Sequence, residues 1–239
     1  LIASVRDRLQ AAGARPVHEA KVLRAWARGL PLDGGGRSLE LPSRLKALLP
    51  GLGGELEGLA RVRSEHAGAD GSVRLLIDLK AGQSVETVLL PPNGVCVSTQ
   101  VGCAVGCVFC MTGRDGLIRQ LGSAEIVAQV DWPVVRKVVF MGMGEPAHNL
   151  DNVLEAIHLL GTQGDIGHKN LVFSTVGDRR VFQRLPEGPV KPALALSLHT
   201  TDPELRARLL PRAPRIDPAE LVEPVEYSSV VSWKSMMHW

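Results

Sequence analysis

Residues 96–110 read CVSTQVGCAVGCVFC, from Cys96 to Cys110, and they hold all four cysteines of the chain. Three of these thiols, Cys103, Cys107 and Cys110, follow the spacing C-x3-C-x2-C. A disulfide framework would spread its staples over a small domain. This clustering describes instead one loop that presents several sulfurs to one object. Three thiolates are one short of a closed tetrahedral site, the right number when one position must accept an outside ligand. A four-iron cluster held by three cysteines has that property. A structural zinc built from Cys96, Cys103, Cys107 and Cys110 is an alternative, although only Cys107 and Cys110 have the usual C-x2-C knuckle spacing. Incidental thiols are a third reading. Gly102 and Gly106 supply the backbone freedom that a tight wrap needs.

Outward from this loop, toward the carboxyl end, strand and helix patterns alternate. Val95–Thr99 reads as a short strand running into the loop. Ser123 is the expected cap of a helix through Val130, followed by a strand over Lys137–Met141. Asp151 opens a helix with Val153, Leu154, Ile157 and Leu160 on one face, closed by Gly161. Asn170–Ser174 and Ala193–Ser197 read as further strands. In TDPELRARLL, Thr201 or Asp202 is the expected cap, with Pro203 near the first helical position. Repeated strand-then-helix units predict parallel pairing, hence an α/β barrel or a doubly wound sheet.

Toward the amino end the pattern differs. Pro16 suits a helix start, with Val22, Leu23 and Trp26 on one face after it. LPSRLKALLPGL predicts a short helix capped by Ser43 and closed by Pro50. SVRLLIDLKAGQSVETVLLPP holds two β-prone runs around Ala81-Gly82, a hairpin signal. Pro91-Pro92-Asn93-Gly94 is the strongest punctuation in the chain and the expected domain boundary. It leaves residues 1–92 as a small α+β accessory domain and residues 93–239 as the core.

Composition bounds the function classes. With 239 residues, 45% of them apolar, the chain can bury a real core, and global disorder is excluded. Its 27 basic and 25 acidic side chains leave a charge of only +2. Arginine outnumbers lysine, which suits phosphate recognition. Arg61, Arg63 and Arg74 are the candidate nucleic-acid-facing cations among the amino-terminal residues, with a plain solvated face as the other reading. The first thirty residues break every apolar run with Arg, Asp or Lys, so no signal-peptide core is expected. No run approaches the roughly 18–20 apolar residues of a membrane span. A cytoplasmic protein with reduced thiols is the expectation.

With Phe109 in the aromatic slot, C-x3-C-x-(aromatic)-C resembles the signature of the radical S-adenosylmethionine (SAM) superfamily. CVSTQVGCAVGCVFCMTG, VVFMGMGEPAHNLDNVLEAI, LVFSTVG and LALSLHTTDPELRARLLP resemble, in that order, the motifs of the adenine-C2 RNA methyltransferases. The likeness runs from about Val73 to about Glu223. It implies a (β/α)6-type partial barrel preceded by the accessory domain. It also implies a [4Fe-4S] cluster on Cys103, Cys107 and Cys110, with SAM chelating the open iron. Phe109, Gly144, Glu145, Ser174, Ser197, Leu198 and His199 match cofactor-contacting positions. Glu86 matches the family's proposed proton acceptor. In that family one SAM methylates a cysteine near the carboxyl end, and a second supplies the radical that activates the methyl group. The methyl carbon then adds to adenine C2 in ribosomal or transfer RNA. A second cysteine, here matched by Cys96, resolves the crosslink as a disulfide. An electron donor such as flavodoxin or ferredoxin is implied as well.

The sequence also departs from that family. All four cysteines are assigned, so no methyl-carrying thiol is left. After Glu223 the chain reads PVEYSSVVSWKSMMHW, without the expected further strands or the SAM-contacting asparagine. About four strand–helix units are countable where the family has about six. These departures, with leucine at position 1, predict a truncated, frameshifted or degenerate reading frame that cannot complete turnover. An open barrel would expose strand edges, which predicts marginal solubility or dependence on a partner. A non-catalytic RNA-binding or zinc-binding remnant is the alternative from a different class.

Overall fold

In the amino-terminal part, leucines and valines at helical spacing decide which faces are buried. The computed structural model describes residues 1–32, 41–130 and 135–227. Helix α1 (Ile2–Ala11) buries Ile2, Val5 and Leu9, and α2 (Pro16–Ala27) buries Val22, Leu23 and Trp26 behind its leading proline. Helix α3 (Ser43–Glu57) departs from expectation twice: Pro42 is its cap, and Pro50 lies inside it rather than ending it. A helix-interior proline costs about 3 kcal/mol. Burial of Leu45, Leu49, Leu52 and Leu56, roughly 1.5–3 kcal/mol each, outweighs that cost.

Strand β1 (Ala60–Ala67), which carries no clear alternation in sequence, pairs antiparallel with β2 (Val73–Leu79). The expected hairpin joins β2 to β3 (Ser84–Leu90). β3 pairs antiparallel with β4 (Gly94–Val97), placing Val88 opposite Cys96. The sheet therefore continues across Pro91–Asn93. A separate two-stranded ribbon, β5 (Gln100–Gly102) and β6 (Leu117–Gln120), clasps the base of the cysteine loop.

Beyond the ribbon the chain alternates as expected, through α4 (Ser123–Ala128), β7 (Lys137–Phe140), α5 (Leu150–Thr162), β8 (Leu171–Thr175), α6 (Arg179–Arg184), β9 (Ala193–Leu196), α7 (Pro203–Leu209) and α8 (Pro218–Tyr227). The main sheet has the order β1-β2-β3-β4-β7-β8-β9, with β4, β7, β8 and β9 mutually parallel. Caps shift by a residue or two. Gly122 rather than Ser123 caps α4, because the Glu125 carboxylate reaches back to the Gly122 N–H while the Ser123 hydroxyl accepts from Ile2 N–H. Asn149 caps α5 ahead of Asp151, and that helix ends at Thr162, past Gly161. Asp202 caps α7, accepting from the N–H groups of Glu204 and Leu205. The divergent stretch lies, from residue 228 on, outside the described residues. No described helix is long and apolar enough to cross a membrane.

The register explains how this architecture places a site. Val97, Phe140, Phe173 and Leu194 fall in one row and join the core beneath the helices. Alternate residues point to the opposite face. There Cys96, Val139 and Val172 share one row, and Ser174 stands one row further along. The same face continues through Val88 and Glu86 of β3 to Leu76 and Arg74 of β2.

Candidate radical site

The cysteine loop leaves the carboxyl end of the parallel sheet, where ligands of such sheets bind. At its base the Cys103 N–H donates to the Gly116 carbonyl at 3.0 Å. Gly102 has φ +76, and a Cβ there would lie 2.1 Å from the Gly116 oxygen, so no other residue fits this crossing. The Cys110 N–H closes a turn onto the Cys107 carbonyl at 3.0 Å. Cys103 is buried, Cys107 half-buried and Cys110 exposed, a gradient from anchor to rim.

The donor chemistry fits a cluster. Burial pushes the Cys103 thiol up, with the Val105 and Gly106 N–H groups pulling back. Burial, then the neighbouring Cys103 and Cys110, push Cys107 up to about 11. Cys103 thus feels Cys110, and Cys107 feels both, as expected of sulfurs near one another. Loading such a site displaces thiol protons. Among the described residues no three His, Cys, Asp or Glu side chains converge on a single metal ion. Cys96 is held apart from the other three thiols in sequence position, within β4 opposite Val139.

The loop is buttressed from across the sheet. The Val108 N–H donates to the Leu209 carbonyl at 3.0 Å, and Arg212 N–H to the Val105 carbonyl at 3.3 Å. Cys103, Val105, Val176, Leu210 and Ala213 form a small apolar cluster of their own. Phe109 lies over His199, ring centroids 4.9 Å apart, so the loop after β4 meets the loop after β9. His199 takes a left-handed φ of +65 to reach it, and burial and then Arg206 hold its imidazole below the ordinary value. Leu198 sits half-buried beside it.

The Gly144–Glu145 turn follows β7. Gly144 has φ +98, and a Cβ would stand 2.5 Å from Gln100 Cβ. Glu145 is 5% exposed, and its carboxylate accepts from Ala147 N–H at 3.1 Å and Val176 N–H at 3.0 Å. Burial pushes this carboxyl up, against hydrogen bonds from Thr175, Val176 and Ala147. The carboxylate therefore braces the end of β7 against the end of β8, with only its remaining lone pairs free for a ligand ammonium. Ser174 and Ser197, matched separately in sequence, come together with their hydroxyl oxygens 3.3 Å apart.

Glu86 and Cys96 share the sheet face described above. The Glu86 carboxylate pairs with the Arg74 guanidinium at 3.0 Å, joining two residues given separate roles in sequence. Its N–H donates to Met143 Sδ at 3.3 Å, which fixes β3 beside the Gly144 turn. Cys96 is a free thiol, pushed up to about 11 by burial, with the Met141 N–H acting the other way.

Several residues that build the site were not legible in sequence. Gln100 bonds the Glu145 N–H, Thr175 the Glu145 carboxylate, and Arg206 and Leu209 lie against the cysteine loop. TDPELRARLL reads as a helix with a charged, solvated face, and nothing local marks Arg206 as buried.

Residues 97–231 match the model of the radical SAM superfamily. The chain belongs to that superfamily, which brings a [4Fe-4S] cluster and SAM as its cofactors. Its relatives within it include a protein named "Probable RNA methyltransferase" from Aromatoleum aromaticum, 69% identical over 98% of this chain and 68% of its own length. Similarly named proteins from Leptothrix cholodnii (64% identical, 70% of the relative covered) and Methylibium petroleiphilum (66%, 69% covered) match as well. The crystal structure of a radical SAM methyltransferase from Sphaerobacter thermophilus superposes with a TM-score of 0.76 at 32% identity, over 93% of this chain and 69% of that one. The chain thus spans a little over two thirds of these relatives.

Proposed function

We propose that this chain carries the SAM-activating part of an RNA methyltransferase acting at adenine C2 of ribosomal or transfer RNA in the cytoplasm, supplied with electrons by a flavodoxin or ferredoxin. The observation that carries this reading is the common sheet face holding Glu86, Cys96 and Ser174, at whose carboxyl end the Cys103–Cys110 loop lies. The relatives named as RNA methyltransferases and the ordered motifs support the same assignment.

When bound, the cluster and SAM together supply one-electron cleavage of a SAM carbon–sulfur bond. The chain's own residues do the rest. Cys103, Cys107 and Cys110 would hold the cluster with one iron open. The Gly144 turn and the Ser174–Ser197 pair would line the space for SAM, and the Phe109–His199 contact would tie the cysteine loop to the loop after β9. Cys96, protonated at neutral pH in its buried setting, would act as the resolving thiol only after losing that proton. Glu86 would take a proton once Arg74 swings away to an RNA phosphate. The four cysteines present are all given other roles, so SAM cleavage is the activity expected of these residues by themselves.

The test is anaerobic reconstitution with iron and sulfide, then quantitation of 5′-deoxyadenosine and of 2-methyladenosine in RNA digests. Deoxyadenosine without 2-methyladenosine is expected. A preparation that binds only zinc and has no SAM affinity would favour the non-catalytic remnant. Methylated RNA from this chain alone would overturn the claim of incomplete turnover.

A further inference from the structure

A guanidinium lies buried beside the cysteine loop with no counter-ion among the described residues. Arg206, in α7, is 5% exposed. Its Nη2 donates to the Val176 carbonyl, while its Nε is buried with no hydrogen-bond partner. Its helix touches that loop, since the Leu209 carbonyl accepts from the Val108 N–H at 3.0 Å. An unpaired buried cation is costly, and such groups are retained next to charge that they offset. Around it, Val176, Leu210 and Ala213 pack on Cys103 and Val105, so a dry wall closes the far side of the site. A second cation stands nearby: the exposed Arg212 lies so close over the loop that a Cβ on Gly106 would be 2.4 Å from its Nη2.

Three thiolates and a reduced cluster concentrate negative charge in this wall. We propose that Arg206 is the counter-ion of the cluster loop, a positioning residue that offsets the thiolate charge during assembly and eases reduction of the bound cluster. The inference rests on the cluster assignment of Cys103, Cys107 and Cys110. The sign follows from electrostatics: a nearby cation stabilises the reduced, more negative state more than the oxidised one, and so raises the reduction potential. Arg212, exposed and screened by solvent, adds a smaller effect in the same direction.

The experiment compares wild type, R206Q, R206M and R206K after anaerobic reconstitution. Iron and acid-labile sulfide are measured per chain, and the cluster is titrated reductively with detection by electron paramagnetic resonance. The neutral variants should retain less iron, and the cluster they hold should reduce at lower potential. A tenfold loss in the reduction equilibrium is the expected scale, about 59 mV for a one-electron couple. R206K should lie close to wild type. Should R206Q and R206M fail to load while R206K loads, charge compensation is equally supported. Wild-type iron content and potential in R206Q would overturn the proposal. So would equal failure of all three variants, which would reduce Arg206 to a structural link to the Val176 carbonyl. A wild-type chain that takes up zinc but no iron would sink the cluster assignment itself, and this proposal with it.

Discussion

Gly144 shows how one residue type can be demanded twice, by backbone and by space. Its φ of +98 strains any L-residue, and the Gln100 side chain occupies the position of a Cβ. Gly144→Ala should destabilise the fold by about 2 kcal/mol and lower Tm by about 4–8 °C in a chain of this size, measurable by calorimetry. Cys96 illustrates the opposite case, a residue whose chemistry is set by its surroundings. Burial holds its thiol up at about 11, so the reactive thiolate is scarce at neutral pH. In cluster-free protein, exposed Cys110 should alkylate ahead of half-buried Cys96. The Cys96 rate should rise about tenfold per pH unit until pH approaches about 11, followed by peptide mass spectrometry. A fast, pH-independent reaction at Cys96 would show that the thiol is not buried as described.

At the scale of elements, the ribbon β5–β6 and helix α4 are locked together by one carboxylate. Glu125 accepts from both ends of the Arg119 fork, at 2.9 and 2.8 Å, and from the Gly122 N–H at 2.8 Å. Burial alone would push this carboxyl up, but Arg119 and the Gly122 N–H hold it below its usual value. A lowered folded-state value means stability that is present above the ordinary carboxylate range and lost as pH falls through the folded one. Glu125→Gln should therefore cost about 1–2 kcal/mol at neutral pH. The gap from wild type should close in acid, as read by urea melts across pH. The elements themselves were largely legible: periodicity and caps predict α5, α7, β7, β8 and β9 within a residue or two. β1 was not, because an edge strand exposed along most of its length carries no alternation. Pro50 misled for a related reason, since its local cost is outweighed by leucines whose partners are distant in sequence.

For the molecule as a whole, one sheet face joins the amino-terminal hairpin to the parallel strands. Of the candidate cations, Arg63 is paired with Asp78 and Arg74 with Glu86, while Arg61 has no ion pair among the described residues. If RNA crosses this face, Arg61→Ala should weaken binding uniformly across sequences and reduce the salt slope by about one. Filter binding at several salt concentrations checks this, and an unchanged slope would move the RNA elsewhere. SAM should raise Tm only after cluster loading, by an amount that grows with its concentration. An equal shift in cluster-free protein would show that the open iron is not part of the SAM site.

The sequence by itself determined the class of chemistry and the alternating core. Cys103, Cys107 and Cys110 lie in one short loop, and short-range spacing is written directly in the chain. So are strand-to-helix alternation and the Asp202 cap, which depend on neighbours a few residues away. Only the tertiary structure decided that Ser174 meets Ser197, that Phe109 meets His199, and that Glu86, Arg74 and Cys96 share a face. It alone showed Glu145 to be a brace and Arg206 to be buried against the cysteine loop. These relations join residues 10 to 99 positions apart through strand register and helix docking. Local pattern carries no information about such distances, because they are set by which rows of the sheet align and which loops that alignment brings to one end.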